Sequence, residues 1–143
     1  MARVLIVGCG CRGRALAREL VAAGHAVRGT TRDPANAEAI AAAGAEPYVG
    51  DPDRIATLME ALPGVAVVCW LLAPVAAPAL HGPRLRMLLE KLVDTPVRGV
   101  VYERGSEEGE RLVRAAAQTW RIPVEIVADE VAAGAAVARL LNP

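Results

Sequence analysis

Short apolar runs alternate along the chain with longer segments whose apolar residues recur at helical spacing. Val4–Val7 is apolar at every position, the pattern of a strand buried on both faces. Arg12–Ala23 follows, with Ala15, Leu16, Leu20 and Ala23 on one stripe and Gly24 placed to end a helix. Ala26–Thr30 is the next strand. Asp33-Pro34 opens a helix to about Ala43, with Asp as cap and Pro in the first turn, and Gly44 closes it. Glu46–Val49 reads as a third strand. Asp51-Pro52 repeats the start signal for a helix to about Leu62, ahead of Pro63-Gly64.

Val65–Leu72 is the most apolar run and predicts a central fourth strand. Ala73–Gly82, with Pro74 and Pro78, reads as a loop. Pro83 starts a helix through Val93, Val97–Tyr102 is a fifth strand, and Ser106 caps a helix to about Trp120 with Glu107 and Glu108 in its first turn. Val124–Val127 and a helix from Asp129 to about Leu141 complete the pattern. Six β/α units in succession predict an α/β fold: three layers, doubly wound, with one six-stranded parallel sheet. Right-handed crossovers favour the order 3-2-1-4-5-6, in a single domain spanning 1–143.

Composition narrows the function classes. The chain has 143 residues, 54% hydrophobic and 22% charged, with formal net charge +0. That balance argues against a broad electrostatic grip on nucleic acid or anionic membrane. There is no Phe, and Tyr48, Trp70, Tyr102 and Trp120 are too few for a base-stacking platform. The apolar stretch Val65 to Leu80 is 16 residues and holds two prolines, short of the roughly 18 apolar residues of a membrane span. Cys9, Cys11 and Cys69 form neither a disulfide framework nor a C-x-x-C pair, and His25 and His81 do not complete a zinc site. No signal-peptide pattern follows the start, so a cytoplasmic protein with reduced thiols is expected.

The strongest motif is Gly8-Cys9-Gly10-Cys11-Arg12-Gly13, a G-x-G-x-x-G turn between a predicted strand and a predicted helix. Gly8 permits the tight turn, Gly10 lets a pyrophosphate approach the backbone, and Gly13 lets the helix lie close to the sheet. The helix start then attracts phosphate through its free N–H groups and dipole. The ligand implied is a dinucleotide in a Rossmann-type fold. At the end of the second strand, Thr31 and Arg32 offer a hydroxyl and a guanidinium where a 2′-phosphate would lie, with Arg12 as a second cation; Asp33 is better used as a helix cap. A charged hydrogen bond contributes about 1.5–3 kcal/mol, about 10- to 150-fold in affinity. NADP is therefore expected over NAD.

The run Gly8-Cys9-Gly10-x-x-Gly13-x-Ala15-Leu16-Ala17, followed by Gly24-His25-x-Val27-x-Gly29-Thr30-Thr31-Arg32, resembles the atypical extended short-chain dehydrogenase/reductases, the NAD-dependent epimerase/dehydratase-like group. The resemblance covers residues 1 to about 73. It implies that Asp51, after the third strand, contacts the adenine, and that Leu71, Leu72 and Ala73 line the cofactor ribose. The group's Tyr-x-x-x-Lys signature is not present: Tyr48 is followed four residues on by Pro52, Tyr102 by Ser106, and the one lysine, Lys91, is preceded by Met87. A C-terminal substrate region is also not expected after the last helix. No catalytic residue is assigned. Tyr102-Glu103-Arg104 with Ser106 reads most plainly as a strand-end Tyr, a solvated Glu–Arg pair and a helix cap. Cys69 and Trp70 read as core, His81 as an incidental loop residue, and Cys9 and Cys11 as packing against the cofactor. Three functions stay open: a minimal reductase-like NADP(H) binder, a dinucleotide sensor, and an oxidoreductase or epimerase completed by a partner subunit, with a homodimer as one form.

Overall fold

Continuous apolarity in the strands is explained by what covers each side of them. The computed structural model describes residues 2–142; Met1 and Pro143, the ends of the expected 1–143 domain, lie outside the described residues. The strands are β1 (Arg3–Val7), β2 (Ala26–Thr31), β3 (Glu46–Val49), β4 (Val65–Trp70), β5 (Gly99–Glu103) and β6 (Val124–Val127). They pair in parallel in one sheet of order β3-β2-β1-β4-β5-β6, as expected. The helices are α1 (Cys11–Ala22), α2 (Ala37–Ala42), α3 (Pro83–Leu92), α4 (Glu107–Thr119) and α5 (Glu130–Leu141). Among the described residues, no helix is long and apolar enough to cross a membrane.

Side chains alternate across a strand, so each apolar run feeds two cores. Leu5 and Val7, Val68 and Trp70, and Val100 and Tyr102 join one core with Leu85, Leu88 and Leu89 of α3 and Val113 of α4. Val4 and Ile6, Val67 and Cys69, and Val101 join the other, with Leu16 and Leu20 of α1, Ile40 of α2 and Ala133 and Val137 of α5. This parity also sorts the polar residues at the carboxyl end of β5. Tyr102 goes to the α3/α4 side and Glu103 to the α1/α5 side.

Three segments differ from expectation. The helix expected after Asp51-Pro52 is a 3-10 run, Ile55–Ala61. Local side-chain bonds hold its start in turns: Asp51 Oδ1 accepts from Asp53 N–H at 2.9 Å, and the Thr57 hydroxyl accepts from Asp51 N–H and donates to the Arg54 carbonyl. Pro63 and Gly64 stop it before it can lengthen. The loop expected over Ala73–Gly82 contains a 3-10 turn, Pro78–His81, and β4 ends at Trp70. Asp33 does cap as expected, accepting from Ala35 N–H, but first into a 3-10 turn, Pro34–Asn36, that leads into α2.

Candidate functional site

At the carboxyl edge of the sheet, the chain leaves β1 through Gly8 with φ of +91°. A Cβ there would lie 2.7 Å from the Leu71 carbonyl oxygen and 2.7 Å from Leu72 Cδ2. Gly8 N–H donates to Thr30 Oγ1 at 3.2 Å, and Cys9 N–H to the Thr30 carbonyl at 3.0 Å, so β2 fixes the turn from its own side. A Cβ on Gly13 would lie 2.8 Å from the Gly8 carbonyl oxygen, which places the first turn of α1 against β1. Gly10 differs, because a Cβ there would meet nothing within 4 Å. It faces open space, and that is where the backbone is free to meet a ligand.

The helix that follows is prepared for an anion. No side chain caps α1, and no acidic residue lies in its first turn. By contrast, α4 and α5 begin with the capping side chains of Ser106 and Asp129 and carry glutamates in their first turns. The unpaired N–H groups and the positive end of the α1 dipole are left for a ligand.

These elements border a cleft of about 410 Å³. It brings together Gly8, Cys9, Gly10, Cys11, Arg12 and Gly13 from the turn, Thr31 and Arg32 from the end of β2, and Leu71 and Leu72 from the end of β4. Asp51 and Ala73 are not among its lining residues. Asp51 lies between Gly50 and Pro52, which do line it, and its carboxylate is turned to Asp53 N–H. Ala73 lines an adjoining cavity of about 500 Å³, reached past Pro74 and Val75, which border both. Thr30, Asn36, Gly50, Pro52, Pro74 and Val75 also line the cleft, none of them expected as a cofactor contact. The available signal was topological: the turns after β1, β2, β3 and β4 must all emerge on one edge of a parallel sheet.

Arg12 requires a correction. It was expected as a free cation for a 2′-phosphate, but its guanidinium is bound to protein carboxylates. Nη2 donates to Glu103 Oε1 at 2.8 Å, Nη1 contacts Glu103 Oε2, and Nη1 donates to Glu130 Oε2 at 2.9 Å. The hydrogen bonds to Glu103 above all, with those to Glu130, hold its pKa well above the ordinary arginine value. Glu103 likewise departs from the expected solvated pair with Arg104. Its side chain is 1% exposed, and Oε1 also accepts from Ala73 N–H at 3.1 Å. Arg104 pairs with Glu110 instead. The cause is the strand parity that turns Glu103 toward α1 and α5.

His81 is not incidental. It is buried, with Nε2 3.1 Å from the Leu72 carbonyl oxygen and Nδ1 2.8 Å from the Tyr102 hydroxyl. A carbonyl only accepts, so Nε2 donates to Leu72, and Nδ1 shares a hydrogen bond with the Tyr102 hydroxyl. Gly105 N–H donates to the same hydroxyl at 3.3 Å. Trp70 is core, and its Nε1 donates to the Leu80 carbonyl at 3.0 Å. Cys9 and Cys69 are buried, and desolvation pushes their thiols up to about 11 and about 12; Cys11 is exposed on the cleft. The two buried thiols are not nucleophiles at neutral pH.

A glycine turn joining a buried strand to an uncapped helix, at the switch point of a 3-2-1-4-5-6 sheet, defines a nucleotide-binding domain of the Rossmann class. Residues 8–119 match the NAD(P)H-binding family, and the chain belongs to that family. No curated protein sequence matches the chain. Among solved structures, it is similar to a functionally unknown conserved protein from Silicibacter pomeroyi DSS, at 24% identity and TM-score 0.57 over 88% of this chain and 52% of that one. It is similar to triphenylmethane reductase from Citrobacter sp., complexed with NADP(H), at 18% identity and TM-score 0.67 over 86% and 48%. It is also similar to UDP-N-acetylglucosamine 4-epimerase from Bacillus cereus, at 12% identity and TM-score 0.71 over 88% and 53%. At these identities the likeness is one of fold, and the chain spans about half the length of each protein.

Proposed function

We propose that the chain binds NADP(H) as a minimal, reductase-like domain, with the pyrophosphate at Gly10 and the amino end of α1. The 2′-phosphate lies against Arg32, and Leu71 and Leu72 flank the ribose beyond; the Thr31 hydroxyl, expected to meet that phosphate, instead donates to the Asp33 carbonyl and accepts from Asp33 N–H. The observation that carries the choice of NADP is the charge of the cleft wall. Arg32 is exposed there without an ion-pair partner among the described residues, and no Asp or Glu lines the cleft to take a 2′-hydroxyl. Asp33, the nearest carboxylate in sequence, is committed to capping Ala35 N–H. Calorimetric titration with NAD and NADP, oxidised and reduced, tests the reading. Arg32→Ala is expected to weaken NADP by about 10- to 150-fold and leave NAD nearly unchanged. Equal loss of both refutes the phosphate assignment.

A non-catalytic dinucleotide sensor is the second reading, and one observation favours it. The Tyr102 hydroxyl, the natural proton donor at the end of β5, is already hydrogen-bonded to His81 and accepts from Gly105 N–H. A catalyst needs such a group free to reach substrate. The hydride chemistry of a bound nicotinamide would therefore need a proton source from elsewhere, such as a partner subunit. Turnover of NADPH with a panel of aldehydes and ketones separates the two readings, and tight binding without turnover supports the sensor.

A further inference from the structure

The geometry points to a site that selects the oxidised dinucleotide over the reduced one, by means of surplus negative charge at its far end. This rests on the dinucleotide reading above. The cleft is electrically lopsided. On the β2 side its charged lining is cationic, with Arg32 beside the uncapped start of α1. Toward β5, one guanidinium, Arg12, faces two carboxylates, Glu103 and Glu130, so one negative charge is left over. In the adjoining cavity Glu108 is the one charged lining residue, and it has no ion-pair partner among the described residues. His81, also on that wall, is tied up in hydrogen bonds to the Leu72 carbonyl and the Tyr102 hydroxyl.

A dinucleotide whose adenosine lies toward Arg32 and whose phosphates meet α1 must run its other half past Leu72 and Ala73 toward this negative end. Ala73 N–H is itself bonded to Glu103, which ties the carboxylate to the wall between the two cavities. The oxidised nicotinamide ring carries a positive charge and the reduced ring carries none. The phosphates, riboses and adenine are common to both forms, so their contributions cancel in the ratio of affinities. What remains is the interaction of one ring charge with Glu130, Glu103 and Glu108, offset by Arg12 and by Arg104, which shares Glu110 with Arg114. In a partly screened site, a unit charge near 10 Å away changes such a ratio by about threefold to tenfold.

The test is calorimetric: dissociation constants for NADP in its oxidised and reduced forms, in the wild type and in Glu130→Gln, Glu108→Gln and the surface control Glu60→Gln. Glu130 and Glu108 are outside the core, and Glu130→Gln leaves the Arg12–Glu103 pair in place. The wild type is expected to prefer the oxidised form, Glu130→Gln to lower that preference by about threefold to tenfold, Glu108→Gln to lower it in the same direction, and Glu60→Gln to leave it unchanged. Binding of both forms with a ratio that Glu130→Gln does not move overturns this proposal and leaves the dinucleotide reading standing. An equal shift in the Glu60→Gln control also overturns it, since overall net charge then explains the effect. Binding of neither form removes both readings together.

Discussion

Gly8 and Gly10 lie two residues apart and owe their lack of a side chain to opposite circumstances. Gly8 is crowded and left-handed, whereas Gly10 has a φ of −80° that any residue adopts and empty space before it. Gly8→Ala is therefore expected to cost about 1–3 kcal/mol in denaturant unfolding. Gly10→Val is expected to leave the unfolding midpoint within about 0.5 kcal/mol and to abolish heat of dinucleotide binding, because its branched side chain fills the approach to the backbone. The sequence motif makes these glycines visible but cannot separate a strained position from an open one; the neighbours that crowd Gly8 come from Leu71 and Leu72. The buried thiols carry a separate expectation. Burial raises Cys9 from 9.0 to about 11 and Cys69 from 9.0 to about 12, so the fold favours the protonated thiol. Their stabilisation is complete below about pH 9 and is lost as pH rises through 11 to 12. Thermal melts across that range should show a decline that Cys69→Ala makes shallower; an unchanged slope would assign the decline to other groups.

Elements follow the sequence where one local signal decides and depart from it where two compete. Gly24, Gly44, Ser106 and Asp129 each end or start a helix as expected. Asp51-Pro52 reads as a helix start by the same rule, yet Asp51 and Thr57 satisfy the backbone in turns and the segment stays 3-10. Gly109 shows another limit. Inside α4 a glycine is unfavourable by about 1 kcal/mol relative to alanine, so sequence reasoning alone expects Gly109→Ala to stabilise. A Cβ there would collide with the Tyr102 hydroxyl, so the substitution is expected to destabilise by about 1–3 kcal/mol instead. Tyr102→Phe removes the obstructing oxygen. In a double-mutant cycle the pair should therefore cost less than the sum of the singles; strict additivity would show that the contact does not govern the helix.

At the scale of the whole molecule, the architecture was legible and the wiring across it was not. Strand order follows from crossovers and from a glycine turn at the first βα junction, both written locally. The Arg12–Glu103 pair joins residues 91 positions apart, and only the assembled sheet brings them together. No local pattern distinguishes Glu103 from the other glutamates of the fifth βα segment. That pair, with Glu130, links the α1 turn, β5 and α5. Glu103→Gln leaves Arg12 with a weakened partner, and the expected loss is about 1–3 kcal/mol, less than for a fully buried pair because Arg12 is 33% exposed. Urea unfolding at neutral pH measures it.

The segment after β4 has consequences for how a ligand comes and goes. Its two ends are pinned: Trp70 holds the Leu80 carbonyl, and His81 holds the Leu72 carbonyl. Between them, residues 73–77 form a short arch over the junction of the two cavities, with Val75 exposed at its crown. Both cavities are bordered by this arch through Pro74 and Val75, and neither residue belongs to a strand. Changes at its crown should alter how fast a ligand enters and leaves more than how stable the protein is.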